Sequence, residues 1–316
     1  MSGAPPAVAI EAGRLSKRFG AKTAVDKLGL TVRQGEIFGL VGPDGAGKTT
    51  AMRMLASVML PDEGTVTIDG VDALAQPERA KRHLSYMPQR FGLYEDLTVD
   101  ENIRFYADVF EVPSDAWRAR ADALLAMSGM AQFRQRLAGK LSGGMKQKLG
   151  LACSLVHTPR VLLLDEPTTG VDPVSRREFW QILYSLRAEG VAILIATAYL
   201  DEAERCDRLA FMNEGIMLEC DSPDALKAHM PGAILDVIST DPHAVRDAVA
   251  SLPGVRDVLI VGTGAHVHVD DAKQALPRIM EKLGASGIAA SGVSETPPSM
   301  EDVFLAFVRG RGKPAP

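Results

Sequence analysis

Gly42-Pro43-Asp44-Gly45-Ala46-Gly47-Lys48-Thr49 reads G-x-x-x-x-G-K-T and follows directly on the apolar run Ile37-Phe38-Gly39-Leu40-Val41. The run predicts a buried strand, the glycines a tight loop, and Thr49-Thr50-Ala51-Met52-Arg53-Met54-Leu55 the opening of a helix. Strand, loop and helix in that order are the context a phosphate-binding loop requires. Glycines let successive backbone N–H groups turn inward, and the helix N-terminus adds its partial positive charge to the same pocket. Such a pocket holds a triphosphate. The stretch Gly42 to Gly47 is the candidate cradle, Lys48 the point charge on the β- and γ-phosphates, and Thr49 the hydroxyl ligand of a magnesium ion.

Outward from this loop, four apolar residues end in two acids at Val161-Leu162-Leu163-Leu164-Asp165-Glu166-Pro167. That pattern predicts a buried strand with carboxylates at its carboxyl edge, where open parallel sheets bind ligands. Asp165 is placed to hold magnesium and Glu166 to polarise an attacking water as general base. Between the two lies Leu141-Ser142-Gly143-Gly144, in which a serine and two glycines open a second helix able to hold an anion. Taken alone it is a capped helix start. Gln89, at the end of the predicted strand Leu84 to Met87, offers a carboxamide that can ligate magnesium and sense nucleotide. Phe19 precedes Gly20 and can offer a ring face to adenine, although by itself it reads as a core residue.

Bulk composition narrows the class. The chain has 316 residues, net charge −5, 46% hydrophobic and 24% charged residues, which is ordinary soluble composition without the basic footprint of a nucleic-acid binder. Cys153, Cys206 and Cys220 are odd in number and lack C-x-x-C spacing, which points to a reducing compartment and away from a metal cluster. The longest apolar stretches, such as Val191 to Ala198, fall short of the ~20 residues that span a bilayer. Met1 to Ala9 has no signal-peptide pattern and reads as a disordered lead-in. The expectation is a cytosolic protein whose membrane link runs through a partner.

Strands are expected at Ile10 to Phe19, Leu28 to Val32 and Thr65 to Gly70, and a helical insert from Thr98 to Gly139 with Trp117, Leu124, Leu125 and Met127 on its apolar face. Phe179, Ile182, Leu183 and Leu186 fall at i, i+3, i+4 and i+7 and mark an amphipathic helix, before another buried strand at Val191 to Ala196. Alternation of buried strands and helices gives an α/β fold with a mostly parallel sheet covered on both faces.

The loop at Gly42, the Leu141-Ser142-Gly143-Gly144 element and Leu164-Asp165-Glu166-Pro167, in that order around a helical insert, resemble the ATP-binding subunit of ABC transporters. The resemblance covers Ile10 to Lys227. It implies a P-loop NTPase fold with a mixed sheet, an antiparallel β subdomain at its start and a helical insert. It also implies that two such subunits sandwich two ATP molecules head to tail, each between one P-loop and the other subunit's Ser142 to Gly144 element. The resemblance assigns Phe19 to adenine, Lys48, Thr49 and Thr50 to phosphates and magnesium, Gln89 to the loop that reports to the permease, Asp165 to magnesium, Glu166 to catalysis and Asp172 to the cross-dimer loop.

Phe91 to Asn102 and Pro298 to Phe304 resemble ATPases that serve type-two exporters of drugs, polymers or lipids, docked on the cytosolic face of the inner membrane. The chain departs from the family pattern at Asp44, where asparagine is usual, and at Ala198, where a switch histidine follows the threonine. Loss of one preorganised donor costs on the order of 10²–10³ in rate. The expectation is a weak site in this subunit, with its Ser142 to Gly144 element completing the site of a second, different ATPase chain. One P-loop and no internal repeat lead to the expectation that this partner is a separate chain; the competing expectation is a homodimer in which Glu166 suffices.

Pro223 to Met230 is expected to close the ATPase domain, with a boundary at Pro231-Gly232. Beyond it the pattern is strand (Ile234 to Ile238), helix (Val245, Ala248, Val249, Leu252), strands (Val255 to Val261, His266 to Val269), helix (Leu276, Ile279, Met280, Leu283) and strand (Ile288 to Ser294). That β-α-β-β-α-β order predicts a ferredoxin-like domain over 231–308 with a regulatory or dimerising role. His266, His268 and Asp270 share one strand face, a pattern that reads as a solvated face before it reads as a metal site. Arg309 to Pro316 is expected to be a disordered tail.

Overall fold

The computed structural model describes residues 7–311. The chain divides into two compact units, 1–217 and 218–316.

The first unit opens with two long antiparallel strands, β1 (Val8–Phe19) and β2 (Lys22–Arg33), turned at Gly20-Ala21. Val8 and Ala9, expected in a disordered lead-in, belong to β1, and Ala9 is buried; Met1 to Pro6 lie outside the described residues. β3 (Ile37–Val41) is buried at every position and runs through the glycine loop into α1 (Lys48–Leu55). β4 (Glu63–Ile68) and β5 (Val71–Asp72) complete a four-stranded sheet of order β2-β1-β4-β5. α2 (Pro77–Lys81) leads into β6 (Leu84–Met87).

The insert is α3 (Val99–Val109) and α4 (Ser114–Met127) followed by two short 3-10 turns. α3 begins on a reciprocal cap in which Thr98 accepts from the Glu101 N–H and the Glu101 carboxylate accepts from the Thr98 N–H. Trp117, Leu124 and Leu125 are buried as expected, but Met127 is exposed, because it closes the helix on the side away from the core. Then come α5 (Gly143–Leu155), β7 (Val161–Asp165), α6 (Pro173–Ala188), β8 (Ala192–Thr197), α7 (Leu200–Ala203), β9 (Arg208–Asn213) and β10 (Ile216–Asp221). Asp172 and Pro173 start α6, which buries Phe179, Ile182, Leu183 and Leu186.

The second sheet has six strands in the order β10-β9-β3-β8-β7-β6. β9, β3, β8, β7 and β6 are mutually parallel, with Val41 opposite Thr197 and Asp165 opposite Ala196. Their carboxyl ends therefore reach one edge together. The loops after β3, β6, β7 and β8 all leave from it, which brings residues far apart in sequence to a single site.

In the second unit α8 (Pro223–His229) precedes β11 (Ala233–Ser239), α9 (Pro242–Val249), β12 (Val255–Val261), β13 (Gly264–Val269), α10 (Ala272–Ala285), β14 (Ala290–Thr296) and α11 (Met300–Arg311). The strands form an antiparallel sheet of order β12-β13-β11-β14, which with the intervening helices is the ferredoxin-like arrangement. Leu235, Val237, Ala265, Val267 and Val269 pack on Val245 and Val249 of α9 and Ile279 and Leu283 of α10. Met280 is exposed instead of packed, one position off that stripe.

The opposite sheet face is covered rather than solvated. α11, which replaces the start of the expected tail through Arg309 to Arg311, lies over it; residues 312–316 are outside the described part of the chain. His266 Nδ1 sits 2.9 Å from Asp302 Oδ2, and Arg309 pairs with Asp257. His268 is buried with Nε2 2.6 Å from the Pro231 carbonyl.

Candidate functional site

Two backbone positions make the glycine loop possible. A Cβ at Gly42 would lie 2.0 Å from the Met212 carbonyl oxygen, and one at Gly47 would lie 2.2 Å from that of Ala24, with φ at +105°. No side chain fits either place, so the loop curls tightly against its neighbours. Gly47 then starts α1 with no side-chain cap, which leaves that helix end to bind an anion.

A cavity of about 430 Å³ opens there, lined by Phe19, Lys22, Ala24, Asp44, Gly45, Gly47, Lys48, Thr49, Thr50, Gln89 and Glu166. Phe19 is 50% exposed at its rim, which corrects the reading of this ring as a core residue. It ends β1 at the hairpin turn, where no further layer covers it. Gly42 and Ala46 are buried beneath the loop, and Pro43 is exposed on it.

Lys48 is buried and donates from Nζ to the carbonyls of Gly42 at 2.8 Å and Pro43 at 3.0 Å, with Glu166 Oε1 at 3.3 Å. Gln89 Nε2 donates to Glu166 Oε2 at 2.8 Å, and the Thr169 hydroxyl to the same oxygen at 3.4 Å. The Thr49 hydroxyl donates to Asp165 Oδ1 at 3.1 Å, and Tyr86 to Oδ2 at 3.2 Å. Burial pushes the Asp165 carboxyl above its ordinary value; Thr49 and Tyr86 pull against this and the Glu166 charge adds to it. Burial, then the neighbouring Asp165, also lifts the Tyr86 hydroxyl.

Thr49, Gln89 and Asp165 supply hydroxyl, carboxamide and carboxylate oxygens, the hard donor set that suits magnesium. The contact between Thr49 and Asp165 already brings two of them together. Lys22 and Tyr86 belong to this site and were not singled out from the sequence. Lys22 follows Phe19 across the hairpin turn, and Tyr86 precedes Gln89 on β6; both follow from those neighbours once the strand ends are known.

Ser142, Gly143 and Gly144 are not part of this cavity. Ser142 is exposed and caps α5 by accepting from the Met145 N–H at 3.3 Å. A Cβ at Gly144 would meet the Ser175 side chain at 2.5 Å, and one at Gly143 would lie 3.8 Å from the Gly170 carbonyl, so the element packs beside the Gly170 to Ser175 turn. Asp172 in that turn caps α6, accepting from Val174 and Ser175 N–H groups at 3.1 and 2.9 Å. Those bonds, Ser175 foremost, hold its carboxyl below the usual range. Ala198 is exposed immediately after β8, and Tyr199 beside it lies 4.3 Å from the Arg176 guanidinium, ring centroid to carbon.

Among the described residues, no group of His, Cys, Asp and Glu forms a metal cluster, His266, His268 and Asp270 included. Among the described residues, Cys153, Cys206 and Cys220 form no disulfide. No helix among those residues is long and apolar enough to cross a membrane.

The ABC transporter family model matches residues 25–169, and the C-terminal domain model of DrrA1-3-like ATP-binding proteins matches 222–308. The probable multidrug ABC transporter ATP-binding protein YbhF of Escherichia coli is 46% identical over 304 residues, 94% of this chain and 52% of YbhF, so the chain spans about half of that relative. The Nod factor export ATP-binding protein I of Paraburkholderia xenovorans is 37% identical over 95% of this chain and 97% of its own length. Daunorubicin resistance ATP-binding protein DrrA2 of Streptomyces coeruleorubidus is 34% identical over 96% of each.

Among solved structures, an ATP-binding subunit of an ABC transporter superposes with a TM-score of 0.64 at 28% identity, covering 70% of this chain and 92% of its own. The fold alone is shared with cbiO1 of Clostridium perfringens, at a TM-score of 0.65 and 24% identity over 78% of this chain and 96% of that one. With a phosphate-binding loop, paired strand-end acids and a second helix start in the family's order, this chain belongs to the ATP-binding proteins of ABC transporters.

Proposed function

We propose that the chain is an ATP-hydrolysing subunit of an exporter, bound through a permease to the cytosolic face of the cell membrane. The observation that carries this is the convergence of Lys48 and Gln89 on the Glu166 carboxylate, at 3.3 and 2.8 Å, with Thr49 bonded to the adjacent Asp165. The loop amides and Lys48 bind the triphosphate, Phe19 stacks on adenine, and Thr49, Asp165 and Gln89 hold magnesium. When bound, magnesium neutralises charge on the β- and γ-phosphates. Glu166 orients the attacking water and accepts its proton, and the Gln89 carboxamide fixes which carboxylate oxygen faces that water.

Ser142 and Gly143 are exposed beside Gly170 and outside this cavity, while Gly144 is buried against Ser175, which supports the element's serving the ATP of a second subunit. Ala198 offers no side-chain donor after β8, so the chain's own site turns over slowly and the second subunit is a different ATPase chain. The same alanine favours one alternative: a silent ATP-binding clamp that completes another ATPase.

An apolar groove of about 230 Å³ lined by Val58, Phe91, Tyr106 and Phe110 begins two residues past Gln89, and it is the surface on which the permease docks. The relatives' names, multidrug, daunorubicin resistance and Nod factor export, support export as the direction.

The test is magnesium-dependent turnover of the purified chain beside Glu166→Gln, together with ATP-induced dimerisation. The reading expects Glu166→Gln to bind ATP and lose the measured turnover. A variant that hydrolyses like the native chain removes Glu166 from the chemistry.

A further inference from the structure

Glu202 sits on the short helix α7 and is fully buried, outside the nucleotide cavity. Its Oε1 accepts from the Thr168 hydroxyl at 2.5 Å and from the Trp180 indole N–H at 3.2 Å, and its Oε2 from the Thr197 hydroxyl at 2.8 Å. These donors come from three segments: the turn after Glu166, helix α6, and the end of β8. Three donated protons, with the Arg176 guanidinium Nε 3.9 Å from Oε1, account for a charge so far from water.

Two of these donors, Thr168 and Thr197, flank positions that matter to turnover. Thr168 lies in the turn that leaves Glu166, where the Thr169 N–H donates to the Glu166 carbonyl at 3.3 Å and the Val171 N–H to the Thr168 carbonyl at 3.1 Å. Glu166 itself has φ at +50°, left-handed backbone that a side-chain-bearing residue keeps only where its surroundings impose it. On its other side the Glu166 N–H donates to the Ala196 carbonyl of β8 at 2.9 Å. The Thr197 hydroxyl accepts from the Tyr199 N–H at 3.0 Å, which fixes the backbone on both sides of Ala198.

We infer that Glu202 is a positioning residue. Its buried carboxylate ties the turn after Glu166 to the end of β8, and this tie holds Glu166 in its left-handed conformation, aimed at the cavity. With alanine at 198, no side chain there shares that task. The inference rests on the ATPase reading of the site and deepens it by naming what aims the general base.

The experiment compares Thr168→Val, which removes the donor, with Thr168→Ser, which keeps it, and adds Glu202→Gln. In each full-length chain, kcat and KM for magnesium ATP, affinity for a fluorescent ATP analogue, and amide exchange over residues 166–171 are measured. Thr168→Val is expected to lower kcat on the order of tenfold, from loss of a hydrogen bond to a charged group. KM and analogue affinity stay unchanged, exchange over 166–171 quickens, and Thr168→Ser restores both kcat and protection. Glu202→Gln moves in the same direction as Thr168→Val.

A folded Thr168→Val with native kcat, or one whose loss appears in KM and affinity, overturns the inference. If the native chain hydrolyses nothing, the ATPase reading fails separately and exchange decides the Glu202 tie. Faster exchange in Thr168→Val but not in Thr168→Ser supports it, and unchanged exchange overturns it.

Discussion

Replacing Lys48 with methionine removes the cation from a place that water hardly reaches. The side chains of Lys48 and Glu166 are 3% and 10% exposed and their charged atoms lie 3.3 Å apart. Removing one partner of a fully buried pair costs about 3–5 kcal/mol, because the other charge is left uncompensated. Glu166 keeps donors from Gln89 at 2.8 Å and Thr169 at 3.4 Å and borders the open cavity. The loss therefore falls below that range, at about 2 kcal/mol.

Glu166→Gln in the same chain removes the stranded charge, so the double variant is more stable than Lys48→Met alone, with a coupling of about 1–2 kcal/mol. Urea unfolding of the four proteins without nucleotide reads that cycle. ATP affinity measured on the same proteins falls roughly 10- to 150-fold in Lys48→Met, the worth of one charge-assisted hydrogen bond to phosphate. Native stability in Lys48→Met, or two single effects that simply add, refutes the reasoning.

Phe19→Ala raises the ATP dissociation constant on the order of tenfold by removing a stacking face, and it leaves the melting temperature unchanged because the ring is half exposed. Competition between ATP and a triphosphate lacking the base checks this, since only ATP loses affinity. In the second unit, a hydrogen bond to the Asp302 carboxylate, against a smaller effect of burial, raises the His266 pKa. Burial pulls Asp302 up, but hydrogen bonds from His266 and Ser299 outweigh it and leave that carboxyl below its ordinary value.

A raised imidazole contributes stability that is complete below its unfolded value of 6.5 and is lost as pH rises through the folded value. A depressed carboxyl contributes stability that is complete above 3.8 and is lost as pH falls. The hold of α11 on the sheet is therefore greatest between these limits. Denaturation followed from pH 6 to 9 is expected to show a stability decline in the native chain that is absent in His266→Gln; parallel curves reject this assignment.

The nucleotide edge of the fold is legible in the sequence because its signals are local. Each of Ile37 to Val41, Leu84 to Met87 and Val161 to Asp165 is a short apolar run ended by a turn or an acid, and the observed strands keep those limits. Phe19 reads as core because an aromatic beside a strand is usually covered, and its exposure depends on where the β1 and β2 hairpin ends. The face carrying His266 and His268 reads as solvated because the helix that covers it, α11, comes more than thirty residues later, with Asp302 36 residues from His266. α11 begins on a cap in which Ser299 and Asp302 exchange hydrogen bonds, a signal present in the sequence beside Pro297-Pro298 and overlooked there. Glu202 shows no local sign of its role, since its donors Thr168 and Trp180 lie 34 and 22 residues away.

Under the proposed function, this chain binds ATP with a complete phosphate loop and turns it over slowly because position 198 lacks a donor to the γ-phosphate. Steady-state hydrolysis by the purified chain beside Ala198→His tests it directly. ATP binding with little turnover is expected in the native chain, and a rate raised by at least about tenfold in Ala198→His, toward the 10²–10³ such a donor supplies. Brisk turnover by the native chain alone, unchanged by the histidine, would contradict it and make the chain a self-sufficient motor.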